Sequence, residues 1–364
     1  MTTNNSHGSP ASSPFPSSPF PSSPFPSSPF HRGEQAIQSR FGVRDRMERF
    51  GGKVIRDHMP EQHQVFYAQL PFIFAGHADK DGWPWASILF NKPGFIQSPS
   101  PKILDIHAKP VTGDPLADTL TERFVENEPL KEDTNLGLLG IELTSRRRNR
   151  LAAHVTRYSD DGIHLEIDQA FGNCPQYIQT RKLHMLDPRT LPQPSVKNIH
   201  VFDDEAQALI AKSDTFFVAS YIESDDQNDN SSASEGADVS HRGGQPGFIR
   251  VDNERTLTIP DYLGNNHYNT FGNFVENSKA GLLFIDFETG HILTLTGTVE
   301  IIWDSPETKH FEGAERLWKF HIDHGRWIHN SLPLRWTLDE YSPNSLLTGT
   351  WDEASKLAQA EARK

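Results

Sequence analysis

The chain of 364 residues is long enough for about two domains and carries a formal net charge of −13. This acidic balance argues against nucleic acid as a partner, because binding a phosphate backbone requires a surplus of Lys and Arg. The lone cysteine, Cys174, excludes an intramolecular disulfide and a cluster of thiolate ligands. No apolar run approaches the ~20 residues of a membrane helix and no secretory signal is present, so we expect a cytoplasmic protein without a membrane partner.

The N-terminal residues 9–30 repeat a Ser-Pro-Phe-Pro-Ser unit. Proline fixes φ, and Ser and Pro bury little apolar surface, so this segment is predicted to be disordered. A spacer is the plain interpretation; phosphorylation at Ser-Pro steps or docking through the spaced Phe residues is the alternative. Residues 1–54 as a whole are predicted to be this tail followed by a short helical lead-in. A second polar run, residues 224–237, is predicted to be a surface loop.

An internal repeat is the most informative pattern of the sequence. Pro71–Ala75 resembles Thr215–Ala219, with Phe216 following Phe72 by 144 residues. Each is an apolar strand preceded by a short helix-like stretch. Three further pairs follow in the same order, at offsets of 153, 153 and 144 residues: Pro93–Phe95 with Pro246–Phe248, Lys102–Ile106 with Arg255–Ile259, and Gly137–Leu139 with Gly281–Leu283. The preserved order indicates an ancient duplication.

The helix-like stretches before the first strands are His63–Gln69 and Glu205–Lys212. Within each unit the other segments are short and rich in Val, Ile, Leu, Phe and Thr, and His291–Glu300 alternates apolar and polar residues like a half-buried antiparallel strand. Five or six such strands with one or two helices per unit favour a small closed barrel over a βαβ sheet. Glu312–Ile322 is predicted to be a helix, and Glu353–Arg363 an exposed one.

Several motifs together resemble the flavin-nucleotide-binding branch of the pyridoxamine 5'-phosphate oxidase superfamily. They are Ala237–Phe248, Ile259–Asn266 and Asn269–Phe274 in the second half, and Arg146–Arg150 and Phe171–Ile178 in the first. The resemblance implies a mainly β fold with peripheral helices, in which two tandem FMN-binding split β-barrels form an internal pseudo-dimer. The expected divisions are 55–190 for the first barrel, 200–345 for the second, FMN-binding barrel, and 346–364 for a C-terminal helix or tail.

The expected cofactor, FMN, has a dianionic phosphate, so its site needs cationic or N–H donors at one end. Arg242 ends a predicted strand beside Gly243 and Gly244, whose missing Cβ atoms let a ligand approach the backbone; a surface arginine in a turn is the alternative. For Asn265 and Asn266 a role in a turn competes with ligand contact. The full candidate set is Ser240, His241, Arg242, Asn265, Asn266, Asn269, Asn273, Arg148 and Arg150.

The cluster Arg146–Arg150 opens a predicted strand, where alternation places Arg146, Arg148 and Arg150 on one face. Three partners are open for these cations: the flavin phosphate, an anionic substrate, or carboxylates elsewhere in the chain. We expect one site, built mainly from the second barrel and closed by Arg148 or Arg150. The corresponding part of the first half has Lys92 and then an acidic, irregular stretch near Asp114–Asp133.

The leading function is therefore an FMN-dependent oxidoreductase, in which the flavin carries the hydride or electron chemistry. A small-molecule substrate and an electron donor, either NAD(P)H or a separate reductase, are the expected partners. A flavin-binding or sensing protein without turnover is the alternative, and a degenerate pseudo-enzyme that scaffolds a partner is a third reading. No catalytic side chain is assigned. No metal site is predicted, because the histidines near His321 lack the helix-borne Glu of zinc peptidases.

Overall fold

The computed structural model describes residues 28–124, 134–223 and 235–363. Over these ranges the chain is mainly β with helices at the periphery, which confirms the predicted fold class. None of the helices within them is long and apolar enough to cross a membrane. Residues 1–27 of the predicted tail and residues 224–234 of the polar run lie outside the described part.

Seven strands of the first half form one antiparallel sheet. They are β1 (Phe72–Ala78), β2 (Pro84–Phe90), β3 (Ile96–Ser100), β4 (Ile103–Ile106), β5 (Asn135–Glu142), β6 (Arg147–Ser159) and β7 (Gly162–Gly172). Across the sheet they follow the order β2-β1-β5-β6-β7-β4-β3. Two more strands, β8 (Thr180–Met185) and β9 (Ser195–Ile199), lead to the second half.

The second half repeats this arrangement. Its strands are β10 (Thr215–Ile222), β11 (Gly236–Gly243), β12 (Arg250–Asn253), β13 (Thr256–Tyr262), β14 (Lys279–Ile285), β15 (Ile292–Ile302), β16 (Ala314–His329) and β17 (Leu334–Glu340). The second sheet has the order β11-β10-β14-β15-β16-β13-β12, which is the first order with nine added to each strand number. This identity agrees with the predicted duplication, although each sheet has more strands than the five or six expected. In addition, β9 pairs with β16, and β17 pairs with β8.

Each sheet buries apolar side chains on both faces. Alternate residues of β1, Ile73 and Ala75, belong to the core enclosed by the first sheet, while Phe72 and Phe74 belong to a third core between the sheets. In the second half, Phe217 also joins this shared core. The rings of Phe74 and Phe217 stack across it with centroids 3.5 Å apart. Burial of this apolar interface holds the two sheets together.

The strand pairing corrects the predicted alignment of the repeat by one residue. Phe74 lies opposite Leu139, and Phe217 lies opposite Leu283. Because Leu139 and Leu283 are counterparts, Phe74 and Phe217 are counterparts too, which makes the offset of the first strands 143 and not 144. A slip of one residue exchanges the faces of a strand. Here both faces of β1 are buried, so the sequence shows no polar alternation that would fix the register.

Two glycines allow the sheets to approach closely. A Cβ atom on Gly137 would lie 2.5 Å from the carbonyl oxygen of Ala237, and one on Gly281 would lie 2.4 Å from that of Pro84. Gly137 and Gly281 are counterparts in the repeat, and so are Ala237 and Pro84. The same contact therefore occurs twice, once from each sheet to the other. This explains why the repeat keeps a glycine at this position.

Eight helices surround the sheets in the described residues. They are α1 (Arg32–Arg40), α2 (Arg44–Val54), α3 (Glu61–Ala68), α4 (Pro115–Arg123), α5 (Asp204–Lys212), α6 (Asn269–Glu276), α7 (Pro343–Thr348) and α8 (Trp351–Ala362). The first two correspond to the predicted lead-in. The helices predicted before the first strand of each unit are confirmed as α3 and α5, and the C-terminal helix is confirmed as α8.

The predicted helix at Glu312–Ile322 is wrong, because this segment belongs to the long strand β16. Trp318, Phe320 and Ile322 are buried and alternate with the partly exposed Lys319 and His321. That alternation has the period of a strand, and aromatic and β-branched residues favour a pleated surface. The acidic residues at the start of the segment are typical of the first turn of a helix, which accounts for the wrong prediction.

The stretch Asp114–Asp133, predicted to be irregular, begins with a helix. Asp114 caps α4 by accepting a hydrogen bond from the backbone N–H of Leu116 at 2.9 Å, and Pro115 occupies the first helical position. Residues 125–133 lie outside the described part.

The last Phe of the N-terminal repeats is not disordered, contrary to the prediction for residues 9–30. The side chain of Phe30 is buried with those of Met47, Ile55 and Phe171. Its ring meets the ring of His267 edge to face at 5.5 Å. The chain is therefore fixed to the fold from this point, and the repeat ends as an anchored segment.

His267 makes stability depend on pH. Its imidazole is buried among Phe30, Phe50 and Phe171, and burial lowers its pKa to about 4. Below pH 6.5 the unfolded chain gains a proton at this residue that the folded chain lacks, so the unfolding free energy falls towards pH 4. The loss at pH 5 should be roughly 2 kcal/mol. His267→Phe should remove this component in urea unfolding at pH 7.5 and 5.0; equal pH dependence in both proteins would contradict it.

Candidate functional site

A cleft opens where β11 of the second half faces β6 of the first. Eight of the nine predicted site residues line it: Ser240, His241, Arg242, Asn265, Asn266, Asn269, Arg148 and Arg150. The duplication explains why residues about 90 positions apart meet here, because the ends of β6 and β11 lie on either side of the sheet interface.

Arg150 is held from three sides at the floor of the cleft. Its Nη1 donates to Asp238 Oδ1 at 2.9 Å and to Asn269 Oδ1 at 3.1 Å, and its Nη2 donates to Ser240 Oγ. Ser240 is fully buried and also hydrogen-bonds Thr270. Ser240 thus fixes the guanidinium of Arg150, and its hydroxyl is already occupied by protein partners.

Arg148 contributes a positive charge that no carboxylate in the described residues neutralises. Its Nε donates to the backbone carbonyl oxygen of Cys174 at 2.7 Å. Burial and the charges of Arg150 and Arg242 lower its pKa to about 9, so the guanidinium is still protonated at neutral pH. An anion in the cleft would relieve this repulsion. Cys174 acts here through its backbone carbonyl group.

Arg242 ends β11 beside Gly243, as the sequence predicts. Its Nε lies 3.7 Å from Asp261 Oδ1, and the other oxygen of Asp261 lies 3.6 Å from Nη1 of the buried Arg316. Burial raises the pKa of Asp261, while the two arginines oppose the rise. One carboxylate is therefore shared between two guanidinium groups, and Arg316 also pairs with Glu315. The cleft is lined by three arginines and by two carboxylates, Asp261 and Glu315.

His241 lies in the cleft as a neutral ring. Burial, and then the charges of Arg148 and Arg242, lower its pKa well below the usual value. Its edge meets the ring of Phe217 at 5.7 Å, and neither ring nitrogen has a hydrogen-bond partner among the described residues. A neutral imidazole offers one donor and one acceptor to a ligand, and no charge.

The amide-rich connection before α6 joins the two halves. Asn265 donates from Nδ2 to Asn173 Oδ1 of the first half at 2.7 Å. Asn266 has φ of 62°, a left-handed conformation that Asn tolerates in turns, so its role in a turn is the one observed. Asn269 is the first residue of α6 and turns its side chain towards Arg150.

Asn273 lies outside the cleft, which corrects its assignment to the site surface. It is buried, and its Nδ2 donates to Ser220 Oγ at 2.9 Å. It follows Asn269 by one turn of α6, and the helix carries it away from the cleft. Asn273 lines a small separate cavity with Glu34 and Arg150.

Arg146 does not share a face with Arg148 and Arg150. Its φ of 62° places it in the turn before β6, and the alternation of side chains holds only for extended backbone. Its Nε donates to the carbonyl oxygen of Ile178 at 2.9 Å, and its Nη2 pairs with Glu340. Of the three arginines predicted for one face, two reach the cleft.

Sequence reasoning missed the aromatic wall of the cleft. Tyr177 of the first half and Tyr262 at the end of β13 stack with centroids 5.3 Å apart and an interplanar angle of 25°. Asn173 and Glu315 were missed as well. Tyr177 and Asn173 belong to the motif Phe171–Ile178, so the family resemblance held the only available signal for them. Nothing in the sequence separates Glu315 from the other acidic residues of its segment.

A protein-family model matches part of the second half of the chain. Residues 202–338 match the family model described as pyridoxamine 5'-phosphate oxidase. The matched range contains β10 to β16, the whole repeated part of the second sheet. No curated protein matches the chain.

Solved structures similar to the chain have low identity. A putative pyridoxamine 5'-phosphate oxidase from Lactobacillus delbrueckii is 16% identical over 35% of this chain and 94% of its own, with a TM-score of 0.26. The HupZ protein of Group A Streptococcus is 14% identical over 38% and 97%, with a TM-score of 0.25. A Clostridium acetobutylicum protein of the pyridoxinephosphate oxidase family, related to general stress protein 26 of B. subtilis, is 14% identical over 38% and 94%, with a TM-score of 0.25.

Proposed function

We propose that this chain, whose residues 202–338 form a domain of the pyridoxamine 5'-phosphate oxidase-like split-barrel superfamily, binds FMN in the cleft and acts as a flavin-dependent oxidoreductase. The observation that carries the proposal is the meeting of Arg148, Arg150 and Arg242, from both halves, in one cleft. Three guanidinium groups so close together repel one another, and the dianionic phosphate of FMN would stabilise all three.

The buried polar atoms of the cleft fit the same ligand. Those without a hydrogen-bond partner in the described residues include Nε of Arg150 and Nδ2 of Asn173. Both can donate a hydrogen bond. FMN presents acceptors along its whole length, on the phosphate, the ribityl chain and the carbonyl groups of the ring. Buried donors without partners are costly, so a ligand rich in acceptors would stabilise the site.

The remaining surfaces suit a planar ring. Tyr177 and Tyr262 give the cleft a flat aromatic side, and Gly243 leaves the neighbouring backbone accessible. When bound, FMN supplies hydride or electron transfer. The residues of this chain hold the phosphate, orient the ring and exclude water. No side chain is assigned as an acid or base. Burial and the nearby arginines hold the pKa of His241 well below its usual value, which makes the ring a weak base, and the hydroxyl of Ser240 is occupied by Arg150.

One FMN per chain is expected, because the duplicated position, built from β2 of the first half and β15 of the second, lacks these charges. In the aligned strand registers, each arginine of the cleft has an uncharged counterpart: Leu89 for Arg242, Thr294 for Arg150 and Ile292 for Arg148. Titration of the apo protein with FMN, followed by flavin fluorescence, should saturate at one equivalent. Saturation at two equal equivalents would contradict this asymmetry.

The proposed chemistry is tested by the visible spectrum of the purified protein. We expect a yellow protein that releases FMN and not FAD on heating, and whose flavin absorbance bleaches when NADH or NADPH is added without oxygen. Protein that binds FMN but is bleached by neither nicotinamide would favour a separate reductase as donor or the flavin-binding and sensing role. Protein that stays colourless and binds no added FMN would contradict the proposal.

A further inference from the structure

The segment of residues 28–55, here called the strap, lies outside the matched family domain and packs against it. In α1, Gly33 contacts α6 so closely that a Cβ atom on it would lie 2.1 Å from the carbonyl oxygen of Gly272. The strap is anchored at its start by the buried ring of Phe30. His31 caps α1, because its Nδ1 accepts a hydrogen bond from the backbone N–H of Gly33.

A chain of hydrogen bonds runs from the strap into the cleft. Glu34 is only 2% exposed. Its Oε2 accepts from the backbone N–H of His31 at 2.9 Å, and its Oε1 accepts from Nδ2 of Asn269. On the other side of the same amide, Oδ1 of Asn269 accepts from Nη1 of Arg150 at 3.1 Å.

These hydrogen bonds fix the orientation of the side-chain amide of Asn269. Its Nδ2 donates to Glu34, so its Oδ1 faces Arg150. If the amide turned over, its N–H groups would face the guanidinium of Arg150, donor against donor. Glu34 and Arg150 therefore select the same orientation of the amide, one at its nitrogen and the other at its oxygen. Glu34 thus acts on the cleft without lining it.

A second contact links the strap to Arg242, through Phe41 and Arg316. The ring of Phe41 lies 4.6 Å from the guanidinium carbon of Arg316. Arg316 in turn contacts Asp261, the carboxylate that it shares with Arg242. The strap is thus linked to Arg150 through Asn269 and to Arg242 through Arg316 and Asp261.

We propose that Glu34 is a positioning residue of the anion-binding part of the cleft, holding Arg150 through Asn269. The assignment of FMN as the anion rests on the proposed function. The hydrogen-bond chain itself requires only that the cleft takes a phosphate-bearing anion. Glu34 should therefore affect ligands with a phosphate and leave a flavin without one unaffected.

The test compares Glu34→Ala and Glu34→Gln with Glu276→Ala. Glu276 is the matched control, because it pairs with the exposed Arg32 at 2.6 Å across the same contact of α1 and α6. Each folded variant, checked by its melting temperature, is titrated with FMN, riboflavin and pyrophosphate. We expect Glu34→Ala to weaken FMN and pyrophosphate about ten-fold and riboflavin not at all. Glu34→Gln keeps one acceptor and should lose less, and Glu276→Ala should match the wild type.

Each outcome decides. Unchanged pyrophosphate affinity in Glu34→Ala overturns the inference, and so does an equal loss for riboflavin, which would indicate a merely structural role. If Glu34→Ala does not fold, Glu34→Gln carries the comparison, since it preserves the volume of the side chain. Wild-type protein that binds pyrophosphate but not FMN refutes the proposed function and leaves the positioning role standing. Wild-type protein that binds neither overturns both.

Discussion

Replacing Arg148 by Ala should weaken FMN binding ten- to a hundred-fold, and the double variant with Arg242→Ala should weaken it further. Each substitution would remove a charge-assisted contact with the phosphate, which costs about 1.5–3 kcal/mol of binding free energy. Arg148 is the sharper test, because no carboxylate in the described residues is left unpaired when it is removed. Isothermal titration with FMN gives the affinity directly.

The control for the arginine variants is Lys92→Ala. Lys92 is exposed and lies in the first half, shortly after Leu89, the counterpart of Arg242. Its removal changes the net charge by the same amount, so a general electrostatic effect would show in both variants. A loss with Lys92→Ala as large as with Arg148→Ala would show that the cleft is not the phosphate site. Asn273→Ala should lower stability through the lost contact with Ser220.

Gly281→Ala and Gly137→Ala are expected to destabilise the fold by about 3 kcal/mol or more each. The added methyl would meet a backbone carbonyl at 2.4 or 2.5 Å, and neither backbone can move without separating the sheets. Urea unfolding should therefore show a lower midpoint. Gly172→Ala is the control, because its nearest neighbour would lie at an ordinary 3.6 Å. Equal midpoints for Gly281→Ala and Gly172→Ala would show that the sheets tolerate a wider separation.

Much of the cleft could be predicted from the sequence because its residues come in short, recognisable runs. One local motif is Arg242 beside Gly243, and another is the run of amides from Asn265 to Asn269. Both can be recognised without knowledge of the tertiary structure. Asn273 failed because it shares a motif with Asn269 but follows it by a whole helical turn. Arg146 failed because one residue with positive φ interrupts the alternation.

The fold shows the same division between local and global information. The helices α3 and α5 and the strand β15 follow from local periodicity. The register of β1 could not be predicted, since the strand is buried on both faces and shows no alternation of polar and apolar residues to orient it. Glu34 was missed because the partners that give it a role lie more than 230 positions away, and no spacing rule links them.

The strap also sets the order in which the molecule is completed. Glu34 is synthesised early, yet its partner Asn269 follows 235 residues later. At ~5–20 residues per second, the ribosome needs roughly 10–50 s to supply that partner. Gly33 waits about as long, because it packs against Gly272. The hydrogen bonds that connect the strap to Arg150 are therefore completed late, and a nascent protein cannot hold an anion in the cleft before its second half has emerged.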